Sequence, residues 1–128
     1  MSVVDASAYL DSAVSAATAV DLAAELGPIL EVPAIFTAEV ASGLRKLVAR
    51  GKIEPDAARE GLARVLATAR IEHPFDPFAE RAWELRNNMT VYDAWYVALA
   101  ESLDTELLTT DRRLARASGP RCPVVLVA

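Results

Sequence analysis

Three carboxylates stand alone in apolar stretches of this chain. Asp5 is the only charged residue from Met1 to Leu10, Glu39 the only one from Val32 to Leu44, and Asp93 the only one from Asn87 to Ala100. Apolar neighbours draw such a group toward the interior, where an uncompensated charge is costly. A fourth acid, Asp111, follows the strand-like run Leu107-Leu108-Thr109. Each has an ordinary structural reading. Asp5 can end a strand, Glu39 and Asp93 can favour a helix N-terminus, and Asp111 can cap the helix that follows it. Asp93 also stands three residues after Thr90, as in an imperfect capping box. Gathered at one place, four carboxylates about 4 Å apart would repel by several kcal/mol per pair, and a divalent cation is the usual compensation. Removing one charge, as in Asp5→Asn, is expected to relieve that repulsion. Oxygen donors without His or Cys suit Mg²⁺ or Mn²⁺, which keep several waters and act beside phosphate oxygens.

The elements that must position these groups alternate between short apolar strands and helices. Val3-Val4 reads as a strand that stops at Asp5, with a helical stretch from Ser7 to Leu10. A helix fits 15–26, stopped by Gly27 and Pro28, and 29–32 reads as a second strand. Thr37 is the expected N-cap of a helix over 38–50, and Pro55 fits the first turn of one reaching 69. Residues 70–73 read as a third strand. Asp76-Pro77 is expected to start a helix to Arg86, and Thr90 to cap one over 91–103. A strand over 106–109, a short helix over 112–117 and a last strand over 124–127 complete the pattern. Such alternation predicts one α/β domain with a parallel sheet covered on both faces. Ligand sites in such sheets lie beyond the carboxyl ends of the strands, where strand order reverses, and Asp5 and Asp111 occupy strand ends.

Composition narrows the function further. At 128 residues the chain is one domain long, and 53% hydrophobic residues exclude a disordered class. Thirteen Lys and Arg against eighteen Asp and Glu argue against loose, charge-driven binding along nucleic acid. Eight of those cations nevertheless fall in two clusters, Arg45, Lys46, Arg50 and Lys52, and Arg112, Arg113, Arg116 and Arg121. The single Cys122 excludes an intrachain disulfide and a thiolate zinc cluster. With no span of about 20 apolar residues and no basic, apolar leader at the start, no membrane role is expected and the protein is expected to remain cytoplasmic.

The segments VVDASAYL (3–10), TAEVASGLRKLVARG (37–51), VYDAWYVALAESL (91–103) and LLTTDRRLA (107–115) resemble the successive motifs of PIN-domain proteins, in particular the VapC-type toxins of bacterial toxin–antitoxin pairs. The resemblance runs in order along essentially the whole chain. It implies a three-layer α/β/α fold around a mainly parallel sheet of about five strands, as a single PIN-like domain over 1–128. It also implies a Mg²⁺- or Mn²⁺-dependent endoribonuclease whose acidic positions are Asp5, Glu39, Asp93 and Asp111, supported by Ser7 and Thr109. Asp5 and Asp93 are then the expected metal ligands, with Glu39 and Asp111 completing the shell directly or through water. Arg112 and Arg116 are expected to border the site and contact RNA. The partners implied are RNA, a cognate antitoxin held by the helices over 38–50 and 55–69, and a second copy in a homodimer. Two positions depart from the pattern: Ser42 stands where many relatives have Asn, and Arg113 where some carry a further acid.

Other side chains read as structural. His73 has no partner in a recognisable motif and is expected at a strand end or in a loop. The spacing of Trp83, Tyr92, Trp95 and Tyr96 favours core or dimer packing over base stacking. Two rival functions remain. A phosphoacceptor signalling domain usually needs a late lysine, whereas Lys46 and Lys52 both lie early. A PIN-like module that binds without cleaving would be distinguished by a metal-dependent cleavage assay.

Overall fold

Val3 and Val4 have almost no exposed surface and form the short strand β1 (Val3–Val4). The Asp5 carboxylate then accepts the backbone N–H of Ala8, so the chain turns at once into helix α1 (Ala6–Ser12). The computed structural model describes residues 2–127, the side chains of residues 16–18, 20 and 21 excepted. After α1 come α2 (Ala16–Glu25), β2 (Leu30–Pro33), α3 (Phe36–Ala49), α4 (Pro55–Ala67) and β3 (Arg70–His73). A 3₁₀ turn (Asp76–Phe78) leads into α5 (Ala79–Glu84), followed by α6 (Val91–Ser102), β4 (Leu107–Thr109), α7 (Arg112–Arg116) and β5 (Val124–Leu126).

All strand pairs are parallel: β1 with β4, β4 with β5, and β2 with β3. The hydrogen-bonded ladder divides into β1-β4-β5 and β2-β3, while β1 and β2 lie against each other. The side-by-side order is therefore β3-β2-β1-β4-β5. The expectation of one five-stranded sheet holds for strand number and direction, but the ladder is interrupted, because β1 spans only two residues before the Asp5 cap. Strand order reverses at β1. With right-handed crossovers, that reversal sends successive helices to opposite faces and opens a crevice at the carboxyl ends of β1 and β4. Helices α1 to α4 pack on one another, α5 packs on α6, and α6 lies across β1, β2 and β4. Residues 94–100 of α6 are all buried, as an all-round apolar helix requires. The Arg81 guanidinium clasps both carboxylate oxygens of Glu101 at 2.7 and 3.0 Å and ties α5 to α6.

Two helix starts differ from expectation. Thr37 does not cap α3; the helix begins at Phe36 after Ile35, whose backbone is already helical (φ −79°, ψ −9°). Phe36 is fully buried with its ring edge-on to Tyr9 at 5.4 Å. Burial of a Phe side chain, worth about 2–3 kcal/mol, outweighs a cap worth about 1 kcal/mol. Likewise Asp76-Pro77 starts a 3₁₀ turn rather than a continuous helix, and Phe78 (φ −105°, ψ −1°) separates it from α5. His73 ends β3 as expected and hydrogen-bonds Glu31 of the neighbouring β2. Cys122 is half-buried, and that burial pushes its thiol pKa up, away from a reactive thiolate. Among the described residues no helix is long and apolar enough to cross a membrane.

Candidate active site

Parallel register sets Val4 beside Leu108, which brings Asp5, one residue past β1, next to Thr109 at the end of β4. The Thr109 hydroxyl donates to Asp5 Oδ2 at 2.6 Å, the Ser7 hydroxyl to Oδ1 at 2.7 Å, and Ala8 N–H to Oδ1 at 2.9 Å. Thr109 Oγ1 also accepts the N–H of Asp111 at 3.0 Å, and Ser7 Oγ that of Thr110 at 3.3 Å. Ser7 and Thr109 thus bind the first carboxylate to the turn that carries the fourth. Asp5 is only 5% exposed, and Thr109 is fully buried.

Glu39 and Asp93 approach from two helices. Glu39 lies in the first turn of α3, where Tyr96 of α6 donates its phenol hydrogen to Oε1 at 2.7 Å. Asp93 lies in the first turn of α6, which Thr90 caps as expected by accepting the Asp93 N–H at 3.1 Å. Asp111 caps α7 through Oδ1, accepting the N–H groups of Arg113 and Leu114 at 2.9 and 3.4 Å.

Asp5, Glu39 and Asp93 each have a raised pKa, to which neighbouring carboxylates contribute. Burial raises the Asp5 pKa, the charge of Asp111 adds to that, and the bonds from Thr109, Ser7 and Ala8 oppose it. Burial likewise raises Glu39, assisted by Asp93 and Asp5 and opposed by the Tyr96 hydroxyl. Asp93 is raised by burial, then by Asp5 and Asp111, against Thr90 and Arg113. The Tyr96 phenol is pushed far up by burial and by Glu39, so it remains a donor. Among the described residues, no Lys, Arg or His forms an ion pair with Asp5 or Glu39. The donor set is entirely oxygen and carries an excess of negative charge, with Arg113 at 3.9 Å from Asp111 as the cation paired with it among the described residues, the chemistry that suits a hard divalent cation. Among the described residues, no three His, Cys, Asp or Glu side chains converge closely enough to hold one ion directly as they stand. Mg²⁺ binds through one or two carboxylates and keeps several waters, so the fit is with a partly water-mediated shell.

A hollow of about 180 Å³ opens beside Asp93 and Asp111, with Asn88, Thr90 and Arg113 on its walls. The expected RNA contacts, Arg112 and Arg116, are both exposed on α7 and do not line it. From the sequence, Arg113 stands out only as a member of the cationic cluster and a departure from the family pattern, and Tyr96 reads as packing. The available signal for Tyr96 was its place three residues after Asp93, on the same helical face. Trp95 and Tyr96 are indeed buried, whereas Trp83 and Tyr92 are 62% and 56% exposed.

The PIN domain family model matches residues 2–120 of this sequence. The chain belongs to the PIN-domain family. This PIN domain is 39% identical over 127 residues to Ribonuclease VapC9 of Mycobacterium tuberculosis, covering 99% of this chain and 98% of that protein. It is 41% identical over 128 residues to Ribonuclease VapC1 of the same organism, covering 98% and 96%. Among solved structures it is similar to PAE2754 from Pyrobaculum aerophilum, with a TM-score of 0.66 and 30% identity over 88% of this chain and 76% of that one. The mostly parallel sheet flanked by helices accordingly matches a PIN-like α/β/α arrangement.

Tyr96→Phe tests the coupling of α6 to Glu39. Tyr96 donation favours ionised Glu39, so its loss should raise the Glu39 pKa further. In a nuclease that needs ionised Glu39, the acidic limb of the rate–pH profile moves to higher pH and the plateau rate falls by about tenfold. An unmoved acidic limb would remove Glu39 from the titrating groups that matter.

Proposed function

We propose that this protein is a Mg²⁺- or Mn²⁺-dependent endoribonuclease and the toxin of a toxin–antitoxin pair. The observation that carries this reading is geometric: at the strand-order reversal of a PIN domain, Ser7 and Thr109 join Asp5 to the turn that bears Asp111, and Tyr96 joins Glu39 to the helix that bears Asp93. Similarity to VapC ribonucleases over nearly the whole chain supports the substrate class.

In this reading Asp5 and Asp93 hold the cation, and Glu39 and Asp111 complete its surroundings directly or through water. When bound, the cation supplies Lewis acidity and a water of lowered pKa. Ser7 and Thr109 orient Asp5 and favour its ionised form against burial, and Tyr96 does the same for Glu39, which when ionised can accept a proton from the attacking water. Hydrolysis forms one water-oxygen bond to phosphorus and breaks the bond to the 3′ oxygen, leaving a 5′-phosphate and a 3′-hydroxyl. Arg112 and Arg116 extend positive charge along α7 for a longer strand. The groove between α3 and α4, where Leu44 and Leu62 lie beside Arg45 and Arg59, fits an amphipathic acidic segment of an antitoxin. Exposed Trp83 and Tyr92 are the aromatic groups left for contact between two copies.

The test is cleavage of total RNA with Mn²⁺, with Mg²⁺ and in excess EDTA, followed by sequencing of the new ends. Cleavage only with metal, leaving 3′-hydroxyl ends, is expected. Undiminished cleavage in EDTA overturns the metal-dependent reading. A protein that binds RNA with metal but never cuts it is the binding module instead.

A further inference from the structure

We infer that Arg113 is the positioning residue that holds an RNA phosphate beside the carboxylates, and that it serves as their counter-charge until a metal ion takes that role. The inference rests on the ribonuclease reading and assigns a residue that reading leaves unused.

Two observations single out Arg113. It lines the hollow bordered by Asp93 and Asp111, which Arg112 and Arg116 do not. Its Nε lies 3.9 Å from Asp111 Oδ1, the only ion pair made by any of the four carboxylates among the described residues.

The backbone is committed while the head is free. Arg113 N–H donates to Asp111 Oδ1, which fixes the Cα against the site, yet its side chain is 95% exposed. A separation of 3.9 Å is too long for a hydrogen bond, so the guanidinium keeps its fork of N–H donors for another acceptor. Asp111 does not depend on the side chain, since Oδ1 already accepts two backbone N–H groups. A phosphate approaching four carboxylates is repelled, and a planar guanidinium at the rim offers two parallel donors to its oxygens. Once a divalent cation neutralises Asp93 and Asp111, their hold on Arg113 weakens and the phosphate becomes its better partner.

This arrangement makes the two ligands respond in opposite directions, which a folding defect cannot do. Arg113→Ala leaves the α7 cap intact, because the cap uses backbone N–H groups. Mn²⁺ binding, measured alone by calorimetry or electron paramagnetic resonance, should tighten by about twofold, a small change because the charge is solvent-screened. RNA binding with Ca²⁺ in place of Mn²⁺, chosen to fill the hard oxygen site while suppressing cleavage, should weaken about three- to tenfold at low salt, and its log–log salt slope should fall by about 0.7. Arg113→Glu should enlarge both effects and Arg113→Lys should restore most of the RNA binding. With Mn²⁺ present, KM should rise more than kcat falls, and Arg112→Ala should lose less than Arg113→Ala.

Parent-like RNA affinity and salt slope in Arg113→Ala, or RNA and Mn²⁺ affinities that fall together, overturns the role of Arg113. If the parent still cuts RNA in that case, the ribonuclease reading stands without it. A parent that neither binds nor cuts RNA overturns both.

Discussion

Asp93→Asn is expected to lower RNA cleavage on the order of a thousandfold, equivalent to about 4 kcal/mol of transition-state stabilisation, while leaving a folded protein of higher metal-free stability. Loss of activity follows from removing one of the two carboxylates assigned to the cation. The gain in stability follows from the electrostatics of the fold. Burial raises the Asp93 pKa and the charges of Asp5 and Asp111 raise it more, so the folded state binds this proton more tightly than the unfolded chain does. Ionised Asp93 therefore subtracts stability as pH rises through its raised pKa, and subtracts none below the unfolded value. The variant should melt a few degrees above the parent near pH 7 in EDTA, with the difference closing as pH falls toward about 4. Mg²⁺ should reverse the order, because it stabilises the parent more than the variant. Parent and variant melting alike at every pH would show that Asp93 carries no repulsive charge in the fold.

Asp5→Ala should unfold the protein more easily by about 2–4 kcal/mol in urea titration, whatever the protein does to RNA. Alanine removes the α1 cap and leaves the hydroxyls of Ser7 and Thr109 without the acceptor that joins β1 to β4. These bonds also alter what is expected of Asp5→Asn. Repulsion alone predicts that this change stabilises the metal-free protein. Asparagine, however, turns one acceptor oxygen into an amide donor facing Thr109 Oγ1, whose hydrogen must then turn toward Ser7 Oγ at 3.3 Å. Relief of charge and loss of a short hydrogen bond oppose each other, so Asp5→Asn should fall well short of the stabilisation given by Asp93→Asn. An Asp5→Ala variant as stable as the parent would mean that the hydroxyls find other acceptors and that Asp5 does not organise the β1–β4 junction.

Local chemistry in the sequence was enough for several elements and for the list of candidate acids. Pro55 begins α4 and Thr90 caps α6, because a missing N–H and a side-chain acceptor act within one helical turn. Residues 70–73 form β3 as read, ending immediately before Pro74. Asp5, Glu39 and Asp93 were conspicuous because a lone charge among apolar residues needs compensation wherever the chain folds.

Tertiary structure decided how those acids are held and which neighbours they meet. The Thr109–Asp5 bond spans 104 residues and the Tyr96–Glu39 bond 57. Both depend on parallel register and on α6 crossing the sheet, neither of which leaves a local trace in sequence. Packing overrode local preference at Phe36, where burial against Tyr9 moved the start of α3 ahead of Thr37. The choice among Arg112, Arg113 and Arg116 was equally invisible, since consecutive arginines look alike in sequence. Which of them reaches the hollow depends on the cap that Asp111 makes at the end of β4, and that cap sets the direction in which α7 leaves the carboxylates.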